Sequence, residues 1–159
     1  MGRVALPLMA RMGGSANAEI DAPVDEVWAV VEDVLIAPEW QGGVVAISAL
    51  ERDDQNRATL VEIENDIKVR HVKTRVRFSY QSPTVLSWTQ EKGDLKSVAG
   101  SWKLEDLGDR RTRATYTLDA DPGRVLGMVI RGPVEAAVRA ALVNARPGEL
   151  KARVEGRGR

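Results

Sequence analysis

The alternation in KVRHVKTRVRFSY, residues 68–80, sets the architecture of the chain, because from Val72 onward every second residue is apolar or neutral and the residues between are mostly basic. Successive side chains of a β-strand point to opposite faces, so this period of two predicts a strand with one buried and one solvent-facing side. The buried face carries Val72, Thr74, Val76, Phe78 and Tyr80, and the opposite face carries His71, Lys73, Arg75, Arg77 and Ser79. An antiparallel sheet commonly has one solvated face of this kind.

The same period of two extends on both sides of this stretch. Strands are predicted at residues 16–20, 44–51, 58–65, 68–80, 84–91, 95–107 and 111–120. Turn-forming sequences separate the last six: DDQNR, SP, KGD and GDR are the clearest. Since these connections are too short to contain crossover helices, neighbouring strands are predicted to pair as antiparallel hairpins.

Two helical regions flank the six consecutive strands. The first, APVDEVWAVVEDV at residues 22–34, has Pro23 in a first-turn position and an apolar stripe with Trp28 at its centre, which predicts that Trp28 packs in the core. A short second helical turn follows at APEWQGG, residues 37–43. The other region is predicted as a long C-terminal helix that Pro147 kinks or splits.

Composition excludes several classes of function. The chain of 159 residues carries 23 basic and 23 acidic residues, so its net charge does not indicate nucleic-acid binding. The absence of cysteine excludes disulfides and thiolate metal sites, and the single histidine, His71, excludes a histidine-rich zinc site. We therefore predict no metal, no cofactor and no nucleic-acid partner.

One domain is expected to cover residues 15–155. Residues 1–14 are predicted to be a flexible N-terminal extension, in which any of the first three methionines could start translation, and residues 156–159 a basic, disordered tail. No stretch approaches the roughly 20 apolar residues that a membrane span needs. The expectation is a cytoplasmic protein without stable membrane insertion.

Four motifs follow one another along the chain: IDAPVDEVWAVVEDVLIAPEW (20–40), Gly100-x-Trp102-x-Leu104, TRATYTLDADP (112–122) and ELKARVE (149–155). Their order and spacing resemble the START-like superfamily, also called SRPBCC, and within it the polyketide cyclase/dehydrase and lipid-transport-type proteins. The resemblance implies an α+β helix-grip fold, in which a curved seven-stranded antiparallel sheet wraps around a long C-terminal helix, with two short helices after the first strand. It also implies a hydrophobic cavity between the sheet and that helix.

The implied cavity makes the inward-facing residues candidates for ligand binding. On the sheet these candidates are Val61, Ile63, Thr74, Val76, Phe78, Tyr80, Trp88, Trp102 and Tyr116. On the helical side they are Val138 and Leu142, and Trp40 and Met128 are expected at the entrance. Gly127 and Gly132 there bracket an apolar segment that fits either a mobile gate or an ordinary helix N-terminus. An apolar, aromatic lining with few polar groups is typical of small-molecule sites of about 300–1,000 Å³.

Three functions fit this sequence. The first is binding or transport of a hydrophobic small molecule, such as a lipid, an isoprenoid or a polyketide. The second is a polyketide cyclase or aromatase, in which Tyr80, Tyr116 or Thr74 would polarise carbonyl groups while proximity accelerates the reaction. The third is a non-catalytic regulatory partner whose core the same aromatic residues fill. Because His71 is predicted to face solvent, no catalytic residue is assigned.

Overall fold

The chain forms one antiparallel sheet that helices cover on its inner face. The computed structural model describes residues 12–157. The strands are β1 (Met12–Ile20), β2 (Val44–Arg52), β3 (Ala58–Asp66), β4 (His71–Gln81), β5 (Val85–Gly93), β6 (Ser97–Gly108) and β7 (Arg111–Asp121). Their order across the sheet is β1-β7-β6-β5-β4-β3-β2, with every neighbouring pair antiparallel. The predicted seven-stranded meander is confirmed.

β4, which contains the alternating stretch, divides into the two predicted faces. Val72, Thr74 and Val76 are buried, whereas the residues between them are exposed. On the outer face, Arg75 lies directly across from Glu62 of β3, and its Nε donates to the Glu62 carboxylate at 3.2 Å. The outer face is therefore held by exposed cross-strand ion pairs, each of which contributes little to stability.

The start of β4 is three residues later than predicted, because a tight turn precedes it. The backbone N–H of Ile67 donates to the Arg70 carbonyl at 3.0 Å, and the N–H of Lys68 donates to the Asp66 carboxylate at 2.8 Å. Lys68 adopts a left-handed φ of 80°, a conformation typical of turns and not of strands. The sequence alternation also changes phase here, since Lys68 and Arg70 share the parity of the buried Val72.

The start of β1 is four residues earlier than predicted. Met12 pairs with Ala120 of β7, and Gly13 lies so close to β7 that a Cβ atom there would be 2.1 Å from the Leu118 carbonyl oxygen. Glycine at position 13 permits this close approach of two backbones. Residues 12–14 consequently belong to the sheet and not to the predicted extension, and residues 1–11 lie outside the described part of the chain.

Two short helices follow β1, as predicted: α1 (Val24–Glu32) and α2 (Ala37–Trp40), with a 3-10 turn between them. α1 places its apolar stripe against the sheet and buries Trp28, which is 6% exposed. Each helix has a proline at its start. The N–H groups at a helix start have no intrahelical acceptor, so the N–H that proline lacks costs no hydrogen bond there. The prediction that Trp28 is a core residue is confirmed.

The C-terminal helical region contains α3 (Arg124–Gly127), α4 (Pro133–Arg139), a π-helical turn (Ala140–Asn144) and α5 (Arg146–Arg157). The interruption lies where Pro147 was predicted to kink or split the helix. Proline cannot donate a hydrogen bond to the carbonyl four residues before it, and its ring crowds that carbonyl. The π turn, closed by the Ala145 N–H on the Ala140 carbonyl at 3.0 Å, accommodates this loss.

The last helix is longer than predicted. α5 includes Gly156 and Arg157, which were assigned to the disordered tail, and residues 158–159 lie outside the described part. No proline follows Pro147, and Gly156 disfavours a helix without preventing it, so the helix extends past residue 155. Among the helices of residues 12–157, none has the length and apolar character required to cross a membrane.

Candidate ligand-binding cavity

A cavity of about 130 Å³ lies between the inner face of the sheet and the helices. Strands β2 to β7 provide one wall, the region from α1 to α2 provides a second, and the α3–α4 connection and the π turn provide the third. Its lining is mainly apolar and aromatic. The volume is below the range of about 300–1,000 Å³ expected of drug-sized sites, so part of the interface between sheet and helices is filled by side chains.

Nine of the thirteen candidate residues line this cavity. They are Trp40, Ile63, Thr74, Val76, Phe78, Trp88, Trp102, Tyr116 and Leu142. They come from β3, β4, β5, β6, β7, α2 and the π turn. Seven of the nine lie on strands, where the inward parity identified them because alternate residues of one strand share a face.

The other four candidates lie outside the cavity. Val61 and Val138 are fully buried in the packed core. Tyr80 is on the predicted face but too far along β4, where its hydroxyl donates to the Ala58 carbonyl at 2.6 Å and the Arg57 guanidinium lies 4.5 Å from its ring centre. Met128, expected at the entrance, is 63% exposed and points away from the cavity lining.

A continuous series of aromatic rings forms the sheet wall of the cavity. Neighbouring ring centroids are 5.7 Å apart for Phe78 and Trp88, 5.7 Å for Trp88 and Tyr116, and 4.8 Å for Tyr116 and Trp102. All are tilted, as aromatic pairs prefer. Gly100 makes this arrangement possible, since a Cβ atom there would lie 2.4 Å from the Trp88 ring.

The cavity also contains a buried arginine that sequence reasoning missed. Arg146, the first residue of α5, is 3% exposed and lines the cavity. Its Nη1 donates to the Gly42 carbonyl at 2.9 Å and to the Glu149 carboxylate at 2.8 Å. A signal existed in the sequence, because an arginine three residues before a glutamate at a helix start favours an ion pair. Only the break at Pro147 turns that pair inward.

Tyr116 shares this part of the cavity with Arg146, whose guanidinium carbon is 5.8 Å from the Tyr116 ring centre. Burial raises the pKa of the Tyr116 phenol, and the nearby positive charge of Arg146 opposes this shift. The phenol is therefore protonated at neutral pH and can donate a hydrogen bond. Thr74 is the other buried hydroxyl in the wall.

The single histidine lies outside the cavity, and among residues 12–157 Asp33 is the one acidic residue that lines it. His71 is on the outer face, 52% exposed, with its Nδ1 2.8 Å from the Glu64 carboxylate. Within residues 12–157, no group of three or more histidine, aspartate or glutamate side chains is close enough to hold a metal ion. Apart from the Asp33 carboxylate, the cavity offers a few buried hydrogen-bonding groups in mainly apolar surroundings.

The family model for polyketide cyclase / dehydrase and lipid transport proteins matches residues 20–145. The chain belongs to this family. Comparison with curated protein sequences gives no match. As a member of the polyketide cyclase/dehydrase and lipid transport family, the chain has a START-type domain for binding hydrophobic ligands, and its cavity lies between the sheet and the C-terminal helices.

Solved structures with the same fold include a START superfamily protein and two aromatase/cyclases. A START superfamily protein from Mycobacterium smegmatis is 17% identical, with a TM-score of 0.77 over 91% of this chain and 97% of that one. The Zhui aromatase/cyclase from Streptomyces sp. R1128 is 20% identical, with a TM-score of 0.73 over 94% and 96%. The di-domain ARO/CYC BexL is 20% identical, with a TM-score of 0.67 over 92% of this chain and 51% of that one. At these identities the likeness establishes the fold alone.

Proposed function

We propose that this protein binds and carries a small hydrophobic molecule in the cavity between the sheet and the C-terminal helices. The observation that carries the proposal is an internal, mainly apolar cavity of about 130 Å³ with a continuous aromatic wall. Apolar cavities of about 150 Å³ stay dry and bind benzene-sized molecules. A regulatory protein with a filled core, one of the alternatives from the sequence, would have no need for such a space.

Larger ligands, such as a lipid, an isoprenoid or a polyketide, require the cavity to expand. The α3–α4 segment is the element that can move, because Val125 is 80% exposed and Met128 is 63% exposed, while Ile130 alone turns inward to line the cavity. Gly123 and Gly132 flank the segment with left-handed φ values of 87° and 56°, which favour glycine. The Ile130 side chain thus occupies space that a larger ligand would need. Ile130→Ala is therefore expected to strengthen binding of ligands too large for the present cavity.

The direct test of binding is a titration with α-methylstyrene, a small apolar aromatic molecule, followed by NMR. The wild-type protein is expected to bind it, and Ala120→Leu, which fills the cavity from β7, is expected to weaken binding about tenfold or more. Ala99→Leu is the matched control, because Ala99 is exposed on the neighbouring strand and lies outside the cavity lining. Failure of the wild-type protein to bind would overturn the proposal.

Native mass spectrometry of protein purified from its own host provides the second measurement. A co-purified apolar molecule that Ala120→Leu loses and Ala99→Leu retains would support the proposal and identify the ligand. Neither variant changes the outer charged residues, so a difference between them reports on the cavity alone.

An aromatase or cyclase remains the second candidate, on the basis of Tyr116 and Thr74. Both hydroxyls line the cavity, and a protonated phenol can polarise a carbonyl group. Tyr80 no longer belongs to this set, because its hydroxyl donates to the Ala58 carbonyl outside the cavity. The enzyme hypothesis predicts turnover of a poly-β-ketone that Tyr116→Phe abolishes, and no product above background would reject it.

A further inference from the structure

Two N–H groups at the cavity are buried without an acceptor. They are the indole Nε1 of Trp40 and the guanidinium Nε of Arg146, and neither finds a hydrogen-bond partner among residues 12–157. Both residues line the cavity. Buried donors are nearly always hydrogen-bonded in folded proteins, since an unpaired donor loses its interaction with water and gains nothing in return. A ligand atom that accepts hydrogen bonds is the natural partner for both.

The two donors belong to the same corner of the cavity. Arg146 Nη1 donates to the carbonyl of Gly42, two residues beyond Trp40, at 2.9 Å. The Trp40 ring lies 6.3 Å from Trp102, whose ring is 4.8 Å from Tyr116, and the Arg146 guanidinium carbon lies over the Tyr116 ring, 5.8 Å from its centre. We call this corner, formed by Trp40, Tyr116 and Arg146, the donor corner.

The charges around the donor corner select the kind of acceptor. The Glu149 carboxylate, 2.8 Å from Arg146 Nη1, already balances the positive charge of the guanidinium. A ligand carboxylate would therefore place a second negative group beside this single positive group in a region of low dielectric constant, where like charges repel strongly. A neutral oxygen accepts the same hydrogen bonds without this repulsion.

We infer that the donor corner is a head-group subsite for a neutral carbonyl oxygen. The ligand class is a small, otherwise apolar ketone, ester or amide, whose hydrocarbon part lies along the aromatic wall and whose oxygen accepts from Trp40 Nε1 and Arg146 Nε. This inference rests on the proposed function, because it names the chemistry of the ligand in that cavity. Hydrocarbon and carboxylate ligands are the alternatives that the experiment separates.

The test compares three probes: acetophenone, its hydrocarbon isostere α-methylstyrene, and benzoate. The measured quantity is the ratio of acetophenone affinity to α-methylstyrene affinity, which isolates the contribution of the carbonyl oxygen. Trp40→Phe removes the indole N–H and keeps an aromatic ring. Arg146→Lys removes the Nε donor and keeps a positive charge opposite Glu149. Each variant is expected to lower the ratio about tenfold, the size of one buried hydrogen bond.

Trp28→Phe is the matched control, since Trp28 is buried in the core and does not line the cavity. The ratio is expected to stay as in the wild-type protein. A measurement without substitution gives an independent check: the indole proton of Trp40 is expected to shift downfield in NMR spectra on addition of acetophenone but not of α-methylstyrene.

The outcomes distinguish failure of the inference from failure of the proposed function. If none of the probes binds the wild-type protein, the proposed function fails and the inference fails with it. If both neutral probes bind and the ratio is unchanged in Trp40→Phe and Arg146→Lys, only the inference is overturned. If benzoate binds more tightly than acetophenone and Arg146→Lys loses that binding, the subsite takes a carboxylate, and the neutral-carbonyl inference is wrong.

Discussion

The inner face of the sheet has a solid half and a hollow half, although both have the same alternating sequence pattern. In the solid half, α1 packs Val27 and Trp28 against the sheet, where Ala114 is fully buried. In the hollow half, Trp88 and Ala120 border a cavity of about 130 Å³. The difference shows that burial of a strand face and complete packing of that face are separate properties, set by different parts of the chain.

The largest expected effect is loss of packing in the solid half. Trp28→Ala is expected to destabilise the protein by about 3–5 kcal/mol, because it removes a large buried side chain and leaves a cavity. Trp88→Ala is expected to cost less, since one side of the Trp88 ring already borders empty space. Urea unfolding curves of both variants provide the measurement, and equal losses would show that the two halves are packed alike.

The next effect concerns the buried arginine at the border of the hollow half. Arg146→Met is expected to cost about 1.5–3 kcal/mol, because hydrogen bonds to a charged group are lost at a buried position. The exposed pair between Arg110 and Glu26, 3.4 Å apart, provides the comparison. Arg110→Met is expected to change the free energy of unfolding by less than about 1 kcal/mol, as exposed ion pairs do. Similar values for both arginines would contradict the burial argument.

Two alanine-to-leucine substitutions on β7, one in each half, are expected to change the free energy of unfolding in opposite directions. Ala114→Leu, in the solid half, is expected to destabilise the protein by about 1–3 kcal/mol through overpacking. Ala120→Leu, in the hollow half, is expected to stabilise it by about 0.5–2 kcal/mol because the new side chain fills the cavity. Both residues are inward-facing alanines, 0% and 2% exposed. Destabilisation by both changes would mean that the cavity cannot accept three additional carbon atoms.

The smallest effect is expected on the outer face and depends on pH. The Arg77 guanidinium, 2.6 Å from Glu91, lowers the pKa of that carboxyl below its ordinary value of 4.5. A lowered folded-state pKa contributes stability above pH 4.5, and this contribution is lost as the pH falls through the folded-state value. The difference in melting temperature between wild type and Glu91→Gln is therefore expected to be larger at pH 7 and to shrink as the pH falls below 4.5. High salt should also reduce it, and a difference that does not change with pH would contradict the assignment.

Part of the candidate site could be predicted from the sequence because strand parity fixes the direction of a side chain. Of the nine candidates that line the cavity, seven lie on strands and do so for this reason. Parity does not fix the position along a strand, so Tyr80 falls beyond the cavity although it lies on the correct face. Arg146 could not be assigned, because an arginine at a helix start is usually solvated and only the helix break at Pro147 directs it inward.

The sequence by itself determined the antiparallel meander, the two faces of its strands, the helices on either side of it and the interruption at Pro147. These features depend on short-range patterns, since side-chain direction repeats every two residues in a strand and every 3.6 in a helix. Only the tertiary structure decided that half of the inner face is hollow and that the Trp40 and Arg146 donors border the cavity. Both depend on the distance between the sheet and the helices, which the summed volumes of residues far apart in the chain determine.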